Sequence, residues 1–509
     1  MKNNFNIFFK FDQKIVFLSL SIIFLPLYET LASNILLLKF NHYLNFFIFF
    51  SLISLLVFVF SFFFKKIFFF NNYPFLKLSI FVWLNFYFQD ITIKLEKYFN
   101  TYHNYITIIL IFIVYLIIIF IFYKKEKIFI KFFTVFLFIN FLLVSYQLIN
   151  IIYFSQINLA DKNIYPLKEL NDVKKKDHKN IYYIIVDEMI SLESFEKKYN
   201  YNLKKYKNSF IELGGVYFDN SNSTYDKTAL TTSTIFNLDY IAKENEIFSL
   251  YSDISFPSFL EKKNFEKQNT NLTKFLRKLD YKFKWIDNSF VKCNNYNKNL
   301  CLEKSIKNNF LINQVSTLLL SRTFLISFIF KYEASKETTY IRNNGMKRLM
   351  NYLNENNPKS FEKNHFFFVH NFSTHSPFLY NNECKFKKNQ IFKKINQEKD
   401  YEFAYICTLN QIIEFIKFIK KNDNNSIIVI NADHGLRINK GLDHSIFNFI
   451  YPKKCSENKK KSTNQLDTIY IMMSCVSNLD LKFKESKQYS GFKSKYNGSL
   501  IIKKNKLNN

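Results

Sequence analysis

The sequence predicts an α/β fold carried behind N-terminal transmembrane helices, and three observations predict it. Long apolar stretches crowd the first 155 residues, β-branched and aromatic runs alternate with helical spacing after about residue 178, and those runs end in carboxylate or imidazole. A chain of 509 residues that is 48% hydrophobic, 19% aromatic and 22% charged is neither disordered nor collagen-like. With 64 Phe against 2 Trp, and only 7 Gly, it is poor in tight turns, and its apolar content is concentrated in the first third.

Five stretches, at about 15–38, 44–64, 73–89, 105–123 and 132–154, approach the ~20 residues that cross a hydrocarbon core as a helix. The third is short and contains Lys77, so an interfacial segment competes with a span there. Glu29 and Lys77 are the charges within these stretches, too few for a transporter pathway. Lys2, Lys10 and Lys14 precede the first stretch, Lys65 and Lys66 follow the second, and Lys124, Lys125 and Lys127 follow the fourth. The alternate loops hold Lys39, Lys94 and Lys97. The positive-inside rule then makes the amino terminus cytoplasmic, and five spans deliver everything after Phe154 to the far side. The expected organisation is a membrane domain over 1–155, a polar linker over 156–178 and an extracytoplasmic domain over 179–509.

Cysteine placement agrees with export. Cys293, Cys301, Cys384, Cys407, Cys455 and Cys475 all follow the apolar third, and an even number there suits disulfides in an oxidising compartment. The short loop between Cys293 and Cys301 is the expected bridge, and the other pairings cannot be read from sequence. The formal charge of +29 raises nucleic acid as a partner, but Arg277, Arg322, Arg342, Arg348 and Arg437 are the only arginines among 70 basic residues. Nucleic-acid readers rely on the bidentate guanidinium, whereas codon bias in an AT-rich genome produces this Lys-rich composition. No nucleic acid is therefore expected. Lysines near a bilayer favour anionic head groups instead.

In the exported part, Asn180–Val186 is a run suited to a strand buried on both faces, and it ends at Asp187-Glu188. His365–His370 is a second such run, leading to Ser373-Thr374-His375-Ser376-Pro377-Phe378, and Ser426–Asn431 is a third, leading to Ala432-Asp433-His434-Gly435. Phe403, Ile406, Ile413, Phe415, Ile416 and Ile419 have helical spacing between the last two. Open α/β sheets place ligands at the carboxyl ends of their strands. Asp187, Glu188, His375, Asp433 and His434 are accordingly candidate ligands for a divalent metal ion, Zn or Mn by donor chemistry. Downstream of Gly214–Asn220 lies a Ser/Thr-rich segment, Ser221–Ser233, in which a hydroxyl at a helix N-terminus would meet exposed N–H groups that suit a phosphoryl group. The competing reading is that these hydroxyls merely cap a helix.

These residues resemble the sulfatase and alkaline phosphatase superfamily, in its membrane-anchored branch of lipoteichoic acid synthases and phosphoethanolamine transferases. The pieces are the Asn180–Glu188 strand, Gly215–Asn220 leading to Thr228, the turn from His375 to Phe378, and Ile428–Gly435, in that order over about 178–450. The resemblance implies an alkaline-phosphatase-like (sulfatase-like) α/β sandwich with Thr228 as nucleophile. It implies metal ligation by Asp187 or Glu188 with Thr228, Asp433 and His434, and contact of His375 with the transferred group or the leaving oxygen. Lys227 would neutralise phosphate charge, while His370 and His444 are weaker candidates for substrate contact, since strand-end histidines are more often structural.

Sulfatases of this superfamily use a formylglycine made from Cys or Ser before a Pro-x-Arg segment, which Ala229-Leu230-Thr231 lacks. Threonine cannot become that aldehyde, so phosphoryl transfer is expected over sulfate ester hydrolysis. The expectation is an inner-membrane, multi-pass enzyme with a periplasmic catalytic domain, transferring or cleaving a phosphorylated head group, with membrane lipids or envelope glycan as donor and acceptor. The alternatives are a sulfuric or phosphoric ester hydrolase, and a non-catalytic envelope assembly protein with a degenerate site. The chain after about Tyr451 offers no readable site and is expected to form a lid or a surface element. A periplasmic reporter fused after residue 160 should be active; a silent fusion there would overturn the odd number of spans.

Overall fold

The computed structural model describes residues 13–33, 40–64, 73–80, 82–83, 125–158, 168–174, 179–250, 254–256, 270–286, 301–302, 344–355, 364–376, 380–386, 397–437, 443–456, 463–483, 485–493 and 499–505, with isolated positions at 113, 116, 117, 120, 176 and 378. They fall into two compact units, divided between Ile157 and Asn158.

The first unit contains α1 (Gln13–Ser33), α2 (Phe40–Phe64) and α3 (Glu126–Asn158). Ile15, Leu18, Ile22, Leu76, Ile80 and Phe133 form one small core, and Ile23, Phe50, Val57 and Phe75 a second. The hydroxyls of Ser19, Ser54 and Ser79 donate to the carbonyls of Ile15, Phe50 and Phe75, one helical turn back, and so satisfy themselves within their own helix. Large apolar side chains point outward along α2 and α3, among them Phe47, Leu52, Leu56, Phe63, Phe132, Phe138 and Leu142.

Among the described residues, no helix counts as long and apolar enough to cross a membrane. Yet α2 carries no Asp, Glu, Lys or Arg over 25 residues, a length of about 37 Å at 1.5 Å per residue against a hydrocarbon core of about 30 Å. Most of the stretch expected at 105–123, and the end of that at 73–89, lie outside the described residues.

The second unit is built on a mixed six-stranded sheet. Its strands are β1 (Ile181–Val186), β2 (Val216–Tyr217), β4 (Lys282–Trp285), β5 (His365–Asn371), β6 (Ile427–Ala432) and β7 (Asn448–Tyr451), in the spatial order β2-β7-β6-β1-β5-β4. β4, β5, β1 and β6 run parallel, and β7 is antiparallel to both β6 and β2. All residues of β1, β5 and β6 are buried, as their unbroken apolar runs require.

The pleat sends alternate side chains to two helical layers. Tyr182, Ile184 and Val186 pack with α4 (Leu192–Tyr199), α5 (Lys204–Glu212), α8 (Gly345–Glu355) and α9 (Gln397–Asn422). Ile181, Tyr183 and Ile185 pack with α6 (Thr228–Asn237), α7 (Asn271–Lys278) and α10 (Gln465–Val476). The result is the expected α/β sandwich. Fully burying one such aliphatic side chain is worth about 1.5–3 kcal/mol, and each sheet face carries a dozen or more.

A separate antiparallel sheet, β3 (Ile247–Ser249), β9 (Ser499–Lys504) and β8 (Tyr489–Lys493) in that order, covers Tyr225 and Leu230. The tail after Tyr451 therefore corrects the expectation of a lid or surface element. Its helix α10 is buried against the main sheet because Leu466, Ile469, Ile471, Met472 and Met473 have no polar face to offer water.

Two disulfides tie the second unit, Cys384–Cys407 and Cys455–Cys475, with Cα separations of 5.3 and 5.2 Å. Cys301 is also disulfide-bonded, and its expected partner Cys293 lies outside the described residues. Non-reducing peptide mapping should recover both cross-links. Replacing Cys455 and Cys475 together by Ser should lower unfolding free energy by about 3 kcal/mol, as expected for a closed loop of this size, and an unchanged denaturation midpoint would contradict the pairing.

Candidate active site

The register of the three central strands assembles the site. Val186 is level with Ala432 of β6 and with Asn371 of β5. The next residues, Asp187 and Asp433, therefore leave neighbouring strands side by side at their carboxyl ends, where the chain order places β1 between strands reached in opposite directions. Both are essentially inaccessible to water, as are His370 and His434.

One ligand atom from each of Asp187, His370 and Asp433 falls within 4.8 Å of the others. Asp433 Oδ1 accepts the backbone N–H groups of Glu188 at 3.2 Å and His434 at 2.9 Å, which turns Oδ2 toward Asp187. Asp433 Oδ2 and Asp187 Oδ1 have no hydrogen-bond donor. Two buried carboxylates cannot face one another ionised without a compensating cation. Burial alone would raise the Asp187 carboxyl, but hydrogen bonding from His370 and the positive ends of His375, His370 and His434 hold it well below the usual carboxylate range.

His434 supplies the next donor. Its Nδ1 lies 2.9 Å from the Gly435 carbonyl, which can only accept, so Nδ1 carries the proton and Nε2 presents a lone pair. That nitrogen is 3.6 Å from Asp187 Oδ1, 3.4 Å from Asp433 Oδ2 and 3.4 Å from Thr228 Oγ1. Ligands held about 2.1 Å from a tetrahedral centre are about 3.4 Å apart. The donor set of two carboxylates, one imidazole and one hydroxyl, with two carboxylate oxygens orphaned, therefore fits a small divalent cation. His370 Nε2 lies 3.3 Å from Asp187 Oδ2, on the opposite oxygen, and belongs to the same cluster of possible ligand atoms as Asp187 and Asp433.

Thr228 is the first residue of α6, and Lys227 at the N-cap provides no side-chain cap. The capping explanation for the Ser/Thr segment thus fails at the N-cap of this helix; the Leu230 N–H turns back to the Lys227 carbonyl at 3.1 Å, which leaves the first turn ahead of it as the place where an anion would meet N–H groups. Lys227, Thr228 and Ala229 are half-buried, while Leu230 onward is buried. Lys227 Nζ pairs with Asp226 at 3.3 Å, and Asp226 Oδ1 accepts the Gly491 N–H at 2.7 Å. Gly435 is needed for close approach rather than for a left-handed conformation. A Cβ there would lie 1.7 Å from the Asp443 carbonyl oxygen.

Glu188 and Asp187 separate in space. Glu188 adopts a left-handed conformation (φ 60°) and its carboxylate takes a 2.8 Å hydrogen bond from Arg437 Nε. Arg437 Nη2 is 2.8 Å from His434 Nε2. The negative charge of Glu188, reinforced by Asp187 and Asp433, overcomes burial and raises the Arg437 guanidinium further.

His375 is half-buried at the edge, its Nδ1 turned to the Ser376 carbonyl. His444 stands apart from the carboxylates, between Ser223 Oγ at 3.3 Å and Asn505 Nδ2 at 2.7 Å, and burial lowers its pKa. Pro377 of the His375–Phe378 turn lies outside the described residues.

Sequence reasoning missed Arg437, whose signal was its position three residues after His434. It also missed Gln465, whose amide donates to the carbonyls of Ala432 and Asp433, both at 2.9 Å, while its oxygen accepts from Thr224 N at 3.2 Å.

The chain is similar to several solved structures. The integral membrane lipooligosaccharide phosphoethanolamine transferase A of Neisseria meningitidis aligns at 12% identity and a TM-score of 0.39, over 91% of this chain and 95% of that one. The C-terminal periplasmic domain of EcEptC from Escherichia coli aligns at 13% identity and 0.39, over 64% and 94%. The lipoteichoic acid synthase LtaP of Listeria monocytogenes aligns at 12% identity and 0.32, over 65% and 83%. No family model and no curated protein matches the chain. Residue roles accordingly rest on the geometry above.

The glycine contact yields a direct test. Gly435→Ala must push the 443–445 backbone away from the Asp433-His434 turn, and overpacking of this kind costs up to about 3 kcal/mol, occasionally more. Chemical denaturation should show that loss, and a variant of unchanged stability would contradict the packing.

Proposed function

We propose that the protein is a metal-dependent phosphoryl transferase of the alkaline phosphatase type, acting on phosphorylated head groups of membrane lipids or envelope glycans. One observation carries the reading. The Thr228 hydroxyl, at an uncapped helix N-terminus, converges with Asp187, Asp433 and His434 on one small volume. Asp187, Asp433, His434 and Thr228 would hold the cation, and Zn or Mn suits this mixture of oxygen and imidazole donors.

A divalent ion there would acidify the Thr228 hydroxyl and offset charge on the phosphoryl oxygens. Asp187 and Asp433 are held in place by His370 and by the backbone N–H groups of Glu188 and His434, so the site is preorganised. The first N–H groups of α6 and the Lys227 ammonium, which pairs with Asp226 at 3.3 Å, would meet the incoming anion and stabilise its equatorial oxygens.

Thr228 Oγ1 bonds to phosphorus as the bond to the leaving oxygen breaks, and the threonyl proton ends on that oxygen, which the half-buried His375 would contact. An acceptor hydroxyl then attacks the phosphothreonine, its proton returning to Thr228. A lipid or glycan hydroxyl gives transfer, and water gives hydrolysis.

We further infer an inner-membrane location, with the first unit embedded and the second outside the cytoplasm. The uncharged α2, the outward apolar side chains of α2 and α3 and the self-satisfied serines support insertion. The disulfides support an oxidising compartment for the second unit.

Intact-mass analysis after incubation with phospholipid donors should reveal a phosphoryl-bearing adduct on Thr228. Thr228→Ala and Asp433→Ala should each lower phosphodiester turnover by on the order of 10³-fold or more. Full turnover in either variant would overturn the assignment.

A further inference from the structure

Arg437 is the charged residue at the site that the proposed chemistry leaves without a role, and its partners are unusual. Its guanidinium bridges Glu188 Oε1 and His434 Nε2, both at 2.8 Å. A guanidinium has donors and no acceptor, so His434 Nε2 spends on Arg437 the same lone pair that a cation would take. The proton on Nδ1, fixed by the Gly435 carbonyl, excludes the other ring nitrogen as a substitute ligand. The guanidinium also feels Asp187 and Asp433, the two carboxylates that most need a counter-charge. It is half-buried, so its charge is less screened than that of a fully exposed side chain. A lysine ammonium could not present two N–H groups in this fixed fork.

We propose that Arg437 is a built-in competitor for the metal position: the guanidinium and a divalent ion draw on the same His434 lone pair, so the ion binds only with Arg437 displaced from His434. This inference rests on the metal-dependent reading above. Occupancy of the single lone pair is mutually exclusive, so Arg437 weakens metal binding. Glu188 is the anchor of the displaced guanidinium, which explains why Glu188 stands aside while Asp187 faces Asp433.

The test uses the purified full-length chain and Mn²⁺ alone. Isothermal titration should give Arg437→Gln a dissociation constant at least ~10-fold tighter than wild type, because the variant lacks the positive charge that the ion must displace. Arg437→Lys, which keeps the charge but loses the fork, should fall between the two. Equal or weaker Mn²⁺ binding by a folded Arg437→Gln protein would overturn the proposal.

A second measurement needs no variant. Phenylglyoxal labelling of Arg437, read by peptide mass spectrometry, should increase several-fold when wild type is saturated with Mn²⁺, and unchanged or reduced labelling would overturn the displacement. Failure of wild type and Arg437→Gln alike to bind Mn²⁺ or Zn²⁺ would instead remove the metal-dependent reading on which the proposal stands.

Discussion

Two carboxylates buried at the ends of adjacent parallel strands are the constraint around which the second unit is organised. Moving an isolated carboxylate out of water is prohibitive, and setting a second beside it compounds the cost. Asp187 and Asp433 are placed there by strand register, because Val186 and Ala432 are level partners on adjacent parallel strands in the centre of the sheet. The surroundings then read as a collection of compensating positive ends. His370 sits on one oxygen of Asp187, the backbone N–H groups of Glu188 and His434 sit on one oxygen of Asp433, and Arg437 bridges Glu188 and His434 beside them. Two oxygens remain unsatisfied, at 3.6 and 3.4 Å from His434 Nε2, which is itself 3.4 Å from the Thr228 hydroxyl.

Distant parts of the chain serve the same constraint. Gln465, at the start of α10, donates to the carbonyls that precede Asp433 and His434 and accepts from the loop that leads to Thr228, so one side chain locks two halves of the site together. The hairpin β8–β9 hydrogen-bonds to Thr224 and Asp226, shortly before Thr228, through Tyr489 and Gly491. His444 and Asn505 brace the same loop from a third direction. A rigid approach to Thr228 matters because misplacement of a reacting atom by about 1 Å costs on the order of a hundredfold in rate.

Much of this was legible in the sequence, and the reasons are physical. Strands buried on both faces must be apolar without alternation, which made β1, β5 and β6 readable together with the polar residues that end them. The helical spacing around Phe403–Ile419 marked α9 for the same reason. Features set by long-range contact were not readable. β2 has only two residues, and β7 reverses direction through pairing with β6 that leaves no local mark. Helix α10 is buried over most of its surface, so it lacks the amphipathic period by which a surface helix is recognised. Asp187 and Glu188 could not be told apart as ligands, because the left-handed turn that sends Glu188 to Arg437 depends on a partner almost 250 residues away. The pairing of Cys384 with Cys407 and of Cys455 with Cys475 depends on the packed helices that carry Cys407 and Cys475.

The buried pair of carboxylates is proposed to hold one divalent cation beside Thr228. Elemental analysis of the purified full-length protein, equilibrated with Zn²⁺ or Mn²⁺ and freed of excess ion, should then find one tightly held ion per chain in the wild type and its loss in Asp433→Asn, a change that keeps the shape of the side chain and removes its charge. A wild-type chain that retains no ion, or an Asp433→Asn chain that retains as much as the wild type, would contradict it.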